Sequence, residues 1–476
     1  EGIARSKSIR YIKINNLSND GFTSIVRALG SLSQLEELTI GEINNVGPDG
    51  WSHLLSLLGS GVCKLKMFHL YRNNYMGNEG VDVLSNGLRG IGSSLKELVL
   101  EDNSIDSGGL STLVEALQTC TSLETLVISY NDFSSAATVT GMGVLSNGLR
   151  AIGSSLNKLV LNAIRIGNEG LSTLVEALAN CTGLKILSLS HNDFSSATAG
   201  LGSLSDWLLR DEVNLNELDL EYCGINDGGL HALVGGATNQ CRELNLQRNE
   251  SITTLGLSYL SNSIRSNSCR VEFLGLKGIP IGDDAMEVLA QGLVGNQSLR
   301  SLGLEELDNG MTVTSAGWVA FSTALCDTSS VNSTYLSNHT IHHICIEDDE
   351  ETIPRDISLY LQLNKEHPQY VARCKIIMSH RHLDMTPLLH WGLKFLPLAV
   401  AWFERSKPCT TLIIYDEDPD LRRRVLNESD EAFESRKLTA MYEFVRGMPM
   451  EVMKRRKKLI ESVCDDNGEI ARIDER

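Results

Sequence analysis

The sequence predicts an α/β solenoid, with short parallel strands along an inner rim and helices along the outer side. Three observations carry that prediction. An apolar frame of the form LxxLxL recurs about every 29 residues from Ile9 to Val331, within the range of repeats that stack one strand and one helix per unit. Apolar residues at i and i+4 follow the frame, as Leu113 and Leu117 do in "LKELVLEDNSIDSGGLSTLVEAL" (95–117), which is helical spacing. Finally, "VLSNGLR" at 83–89 returns at 144–150 and "LSTLVEAL" at 110–117 returns at 171–178, both displaced by 61 residues. A two-repeat block has been duplicated.

The elements follow in order along each unit. In LxxLxL the second and third apolar residues point to one side of a strand and their neighbours to the other. Frames open at Leu35, Leu65, Leu95, Leu123, Leu156, Leu184, Leu215, Cys241, Val271 and Leu299, with weaker copies at Ile9 and Val331. After the strand, Asn73, Asn103, Asn131, Asn192 and Asn249 share one position. An inward amide there can bond to backbone groups that the turn leaves without partners. Ile43, Ile164, Ile279 and Leu307 depart from that column and interrupt the ladder. Gly50, Gly80, Gly109, Gly170, Gly229, Gly256 and Gly317 stand where each helix begins, with Ala285 once in their place. A missing side chain lets helix and strand approach closely. No unit buries its apolar face alone, so units stack, and the wider helices curve the stack with the sheet on its concave side.

After Ile341 the period stops. An acidic run, Glu347 to Glu351, leads into helical patterns: "HPQYVARCKIIM" (367–378) opens on Pro368, "AVAWFER" spans 399–405, and Leu438, Met441, Tyr442 and Val445 share one face. The predicted domains are therefore a repeat horseshoe over 1–341, about twelve repeats, and a mainly helical region over 342–476. The second would cap the apolar flank of the final repeat.

Composition narrows the function. The chain has 476 residues and a net charge of −18. From residue 342 onward Lys and Arg nearly balance Asp and Glu, so the repeats carry most of the negative charge. Such a surface is a poor phosphate-backbone binder, which excludes direct nucleic-acid binding by the repeats. The longest apolar run, "FLPLAVAWF" (395–403), is about half of what a membrane helix needs, so no membrane partner is expected. Eleven cysteines without CxxC pairs point to reduced thiols and an intracellular, cytoplasmic location. Asn-x-Ser/Thr triplets such as Asn332-Ser333-Thr334 are read as chance matches.

With the frame, the asparagine column and the glycine column in place, residues 9–341 resemble the ribonuclease-inhibitor-like leucine-rich repeat family. The resemblance implies a right-handed α/β horseshoe, parallel sheet concave and helices convex, with the ligand usually held on the concave side. That family includes inhibitors, immune receptors and GTPase activators, so fold alone does not choose a function. The pieces "YLQLNK", "ARCKII", "LPLAVAWFER" and "YEFVRGMP" resemble the tails of uncharacterised leucine-rich repeat proteins of diatoms, which implies no activity.

Candidate chemistry is thin. His339, His342, His343, Cys345, Cys374, His380 and His382 cluster in sequence, but their spacing fits no zinc module, and surface or cap histidines are expected. "GMGVLSNG" (141–148) lacks the GKS/T ending of a phosphate loop, and Gly143 is assigned to the glycine column. Cys63, Cys120, Cys181 and Cys269 precede strands by two or three residues and read as small buried hydrophobes. "KRRKK" (454–458) is a charged helix end, or else a nuclear-import signal. No enzyme activity and no cofactor are expected.

The inner rim is different, because its side chains do not serve the core. Met67, His69, Asp102, Ile186, Glu217, Asp219 and Phe273 face it. Tyr71, Glu101, Ser129, Asn162, Ser190, Glu221, Gln247 and Lys277 form one predicted column, and Arg72, Asp102, Tyr130, Ala163, His191, Tyr222 and Arg248 the next. Aromatics among Arg and carboxylates favour an interface centre. Tyr71, Arg72, Glu101, Tyr130, His191, Glu221, Tyr222 and Arg248 are the predicted partner-binding residues. The reading is a non-catalytic scaffold for a protein or peptide. The alternatives are a regulator of a small GTPase, similar to the leucine-rich repeat activator of Ran, and the sensor part of an immune-type receptor. That family carries a long acidic tail, whereas residues 342–476 are nearly balanced in charge and basic towards their end, which counts against the first alternative.

Overall fold

In the computed structural model the described residues are 8–380, except 31, 44–45, 47, 60–63, 74–75, 134–138, 305–312, 346–352 and 367–370. Twelve strands lie in sequence order in one sheet: β1 Tyr11–Asn15, β2 Glu37–Gly41, β3 Met67–Tyr71, β4 Glu97–Glu101, β5 Thr125–Val127, β6 Lys158–Val160, β7 Ile186–Ser188, β8 Glu217–Asp219, β9 Glu243–Asn245, β10 Phe273–Gly275, β11 Ser301–Gly303 and β12 His343–Cys345. All pairs are parallel, and the middle apolar residue of each frame is in register from strand to strand: Leu98, Leu126, Leu159, Leu187, Leu218, Leu244, Leu274 and Leu302 pair in turn, ending on Ile344. The fold is the α/β leucine-rich repeat solenoid that the spacing predicts.

A helix follows each strand from β1 to β11: α1 Asn19–Leu29, α2 Pro48–Gly59, α3 Gly77–Ile91, α4 Ser107–Leu117, α5 Val139–Ile152, α6 Asn168–Leu178, α7 Thr198–Leu208, α8 Asp227–Gln240, α9 Thr254–Ile264, α10 Asp283–Leu293 and α11 Ser315–Leu325. The apolar frame and the helix faces bury each other: Leu98, Leu100, Leu113 and Leu117 are fully buried. The glycine column serves the close packing of neighbouring helix starts rather than of helix on strand. A Cβ on Gly256 would sit 2.3 Å from Asp227 Oδ1, the same oxygen that accepts the Gly256 N–H at 3.0 Å. Gly143 does not belong to the column, because nothing stands within 4 Å of a Cβ there. The displacement of 61 residues maps Gly80 onto Gly141 instead.

The asparagine ladder is built as expected. Asn131, buried, donates through Nδ2 to Leu100 O (2.7 Å) and accepts at Oδ1 from the N–H groups of Asn103 (3.2 Å) and Ile105 (3.1 Å). Cys223 holds the same position in its repeat, with Sγ 3.3 Å from Leu189 O, and so is a ladder residue that the spacing analysis passed over. Val331 does not open a strand. Val331–Leu336 is a helix, α12, because Ser330 caps it by accepting from Ser333 N.

Contacts divide the described residues into two units, 8–318 with 343–345, and 319–342 with 353–380. The second holds α12, α13 Arg355–Glu366 and α14 Val371–Ser379. Leu363, Val371 and Cys374 form its apolar cluster. Lys375 is fully buried beside it, Nζ donating to Leu325 O at 2.6 Å and Asn338 O at 2.8 Å, 5.7 Å from the Tyr360 ring. Residues 399–405, 438–445 and 454–458 lie outside the described residues, as do Cys63, Leu307 and His382.

Candidate functional site

The sheet face away from the helices carries the predicted columns, and the backbone explains their regularity. Just after the strands, Arg72, Asp102, Tyr130, Ala163, His191, Tyr222 and Arg248 all have φ between 53° and 58°. Each donates its N–H to the next strand: Tyr130 to Asn162 O, His191 to Glu221 O, Tyr222 to Gln247 O. This left-handed residue continues the ladder one step past the strand while the chain turns towards its helix.

On that backbone the aromatics meet. The Tyr130 and His191 rings lie 6.2 Å apart across the short Ala163, and the His191 and Tyr222 rings 5.2 Å apart. Tyr130 is 47% and Tyr222 54% exposed. Arg248 Nε stands 3.6 Å from Glu221 Oε1. An open cleft of about 370 Å³ is lined by His191, Tyr222, Arg248, Asp193, Glu250 and Ser251 among others. Tyr130, His191, Glu221, Tyr222 and Arg248 therefore form one continuous patch.

Tyr71 and Arg72 belong to a different place. Tyr71 folds over β2, where a Cβ on Gly41 would fall 2.1 Å from its ring, and its hydroxyl donates to Asn15 Oδ1 at 2.9 Å. Lys13 Nζ lies 5.6 Å from the ring, and Arg72 pairs with Glu42 at 3.5 Å. Glu101 is half-buried on β4, between the two groups.

Beneath the patch runs a polar network that the column analysis saw only in part. Ser188 Oγ is 2.7 Å from both Asn162 Oδ1 and Asp219 Oδ2, and Asn245 donates to Asp219 Oδ1 at 2.9 Å. It joins the consecutive repeats β6–β9. Period-2 alternation places such residues on this face, which was the available signal. Glu217 and Glu243 oppose one another in register. Burial, and then Glu243, hold the Glu217 carboxyl above its usual range.

Burial pushes the thiols of Cys120 up to about 11 and of Cys181 up to about 12. The clustered histidines take separate partners: His380 Nε2 lies 2.9 Å from Thr334 Oγ1, His339 Nε2 bonds Tyr335 O, and His343 Nδ1 faces Ser301 Oγ.

Comparison with known proteins agrees with the repeat fold. A family model described as Leucine Rich repeat matches residues 213–234, the repeat of β8. Over 279 residues the chain is 29% identical to the mouse (Mus musculus) NACHT, LRR and PYD domains-containing protein 14, covering 57% of this chain and 27% of that protein. It is 28% identical to the ribonuclease inhibitor of Sus scrofa (49% of this chain, 50% of that one) and 26% identical to that of Mus musculus (67% and 79%). The chain thus spans about a quarter of the first relative and half of the second. Sheet, ladder and relatives together make it a leucine-rich repeat solenoid, similar to the ribonuclease inhibitors.

Proposed function

We propose that this protein is a non-catalytic scaffold that binds a protein or peptide on the concave face of its sheet. The observation that carries this reading is the exposed stack of Tyr130, His191 and Tyr222, bounded by the Glu221–Arg248 pair. Three strand steps separate Tyr130 from Tyr222, roughly 14 Å, a span one peptide or domain edge covers. The tyrosines are the apolar anchors, and Glu101, Glu221 and Arg248 orient the partner by charge. Tyr71 and Arg72 form a second contact point two repeats from Tyr130. The relatives named for inhibiting a ribonuclease support a protein ligand.

The mainly helical region over 342–476 is proposed as the cap of the repeats. An intracellular setting is consistent with the free cysteines among the described residues, of which no helix is long and apolar enough to cross a membrane.

The test is a partner captured by pull-down and identified by mass spectrometry. Tyr130→Ala with Tyr222→Ala should weaken it by more than about thirtyfold, the cost of losing a central aromatic anchor. Glu115→Ala with Glu176→Ala, on the helix side, should leave affinity unchanged. If the helix-side pair abolishes binding and the tyrosine pair does nothing, the concave reading fails.

The likeness to the NACHT-containing protein favours a second reading, the sensor part of an immune-type receptor. A full-length transcript encoding a nucleotide-binding segment upstream supports it, and one without such a segment ends it.

A further inference from the structure

At the edge where the strands begin, β9–β11 carry a second and chemically opposite feature. One residue before each strand stand Arg242, Glu272 and Arg300, and Arg270 lies on the loop that leads into β10. They line an open cleft of about 370 Å³ together with Asn216 and Gln297. Three arginines face one carboxylate in a chain whose net charge is −18.

The arrangement is held by the backbone. Arg242 N donates to Asn216 O, Glu272 N to Arg242 O and Arg300 N to Glu272 O, all at 2.7–2.8 Å. Glu272, half-buried, shares its two oxygens, one 3.8 Å from Arg242 Nη1 and the other 3.3 Å from Arg300 Nε. A guanidinium has five N–H donors, so most of those on both arginines stay available. Arg270 has no ion pair among the described residues. The cleft thus presents a surplus of two positive charges and many planar donors, which matches the charge and the three oxygens of a phosphomonoester.

Its surroundings limit the ligand. One position further along, Glu217 and Glu243 face each other in register. A nucleic-acid backbone entering the cleft would carry its next phosphates onto that acidic pair. A single phosphate flanked by cationic side chains meets attraction on both sides.

We propose that the cleft of Arg242, Arg270 and Arg300 binds a phosphorylated side chain of a protein partner, at the strand-entry edge of the sheet. The site does not depend on the aromatic patch. The probe is a short lysine–glycine peptide carrying one phosphoserine, titrated at low salt against its unphosphorylated form, inorganic phosphate and oligouridine. Binding should require the phosphate, compete with inorganic phosphate and weaken as salt rises. Arg270→Gln with Arg300→Gln should weaken it at least about tenfold, with an unchanged thermal melt. Glu272→Gln, which releases two guanidinium groups from their carboxylate, should tighten it. Equal affinity for both peptides, tighter binding of oligouridine, or no gain in Glu272→Gln would overturn the proposal.

Discussion

Replacing Asn131 by alanine tests the ladder at a rung held by five hydrogen bonds. The amide joins the backbones of two repeats: Nδ2 reaches Leu100 O, Ile128 O and Ser129 O, and Oδ1 accepts from Asn103 N and Ile105 N. Alanine leaves the Asn103 and Ile105 N–H groups buried without an acceptor. Each such orphan costs about 1–3 kcal/mol, so the pair costs on the order of 3 kcal/mol. In a repeat array the loss is borne by neighbouring units. A domain of this size class loses roughly 2–4 °C per kcal/mol, which puts the expected drop in melting temperature at about 6–12 °C. Amide hydrogen exchange adds the local readout, because Asn103 and Ile105 should lose protection while Leu274 keeps it. Asn131→Cys should fall between parent and alanine, since the Cys223 thiol at the same position keeps the donation to backbone carbonyls, to Leu189 O at 3.3 Å and Glu221 O at 3.5 Å. An alanine variant that melts with the parent and keeps both amides protected would refute the reasoning.

Other outcomes follow from the same coordinates. Leu98→Asp or Leu159→Asp places a charge at a fully buried strand position and should cost about 3 kcal/mol or more, read as insolubility or a clearly lower melting temperature. Ending the chain at Ile341 removes β12 from the sheet and the helices after it. Light scattering should then show aggregation, and a monomeric fragment would dismiss the capping role. Burial lowers Lys375 from 10.5 to about 7, so its contribution is full above pH 10.5 and is lost as pH falls towards 7. The parent should therefore gain stability relative to Lys375→Met between pH 7 and 10, and parallel curves for the two proteins would count against a neutral amine. The Cys326 thiol, which burial raises, interacts electrostatically with Lys375, so the comparison is made with Cys326→Ala in both proteins.

The fold was legible because a two-residue alternation and a helical i, i+4 pair leave separate traces in one short unit. Register came with it, since the same frame position pairs in every strand. The frame misled at Val331, where Val331, Thr334 and Leu336 imitate it. There the serine-rich turn at Ser329–Ser330 wins locally by capping a helix. The true last copy is "IHHICI", ten residues on, and a turn marks it. Asn338 Oδ1 accepts from Thr340 N and Ile341 N, as Asn296 Oδ1 accepts from Ser298 N and Leu299 N. The Asn-x-Ser/Thr triplets at these two places are turns that launch a strand.

The site was legible as columns but not as a patch. Spacing put Tyr71, Arg72, Tyr130, His191 and Tyr222 on one face. It could not show that Tyr71 folds back over Gly41, nor that two rings lean together over Ala163. The left-handed backbone was equally invisible, since one glycine, Gly278, takes the position and the others carry side chains.

That last fact separates what the fold needs from what the surface offers. The ladder takes the left-handed conformation in the repeats of β1 to β10, whatever side chain is present, because the N–H there, from β1 to β9, reaches the next repeat. A side chain in that conformation costs roughly 1 kcal/mol or more, a cost glycine escapes. The tyrosines and His191 therefore sit where folding alone would favour glycine, and they are exposed, so they return little by burial. Tyr222→Gly isolates the two roles. Relief of strain and the added freedom of the unfolded chain nearly offset one another, so the melting temperature should stay within a few degrees of the parent. Partner affinity should fall as far as in Tyr222→Ala. A glycine variant that binds normally would return the aromatic stack to the status of ordinary surface.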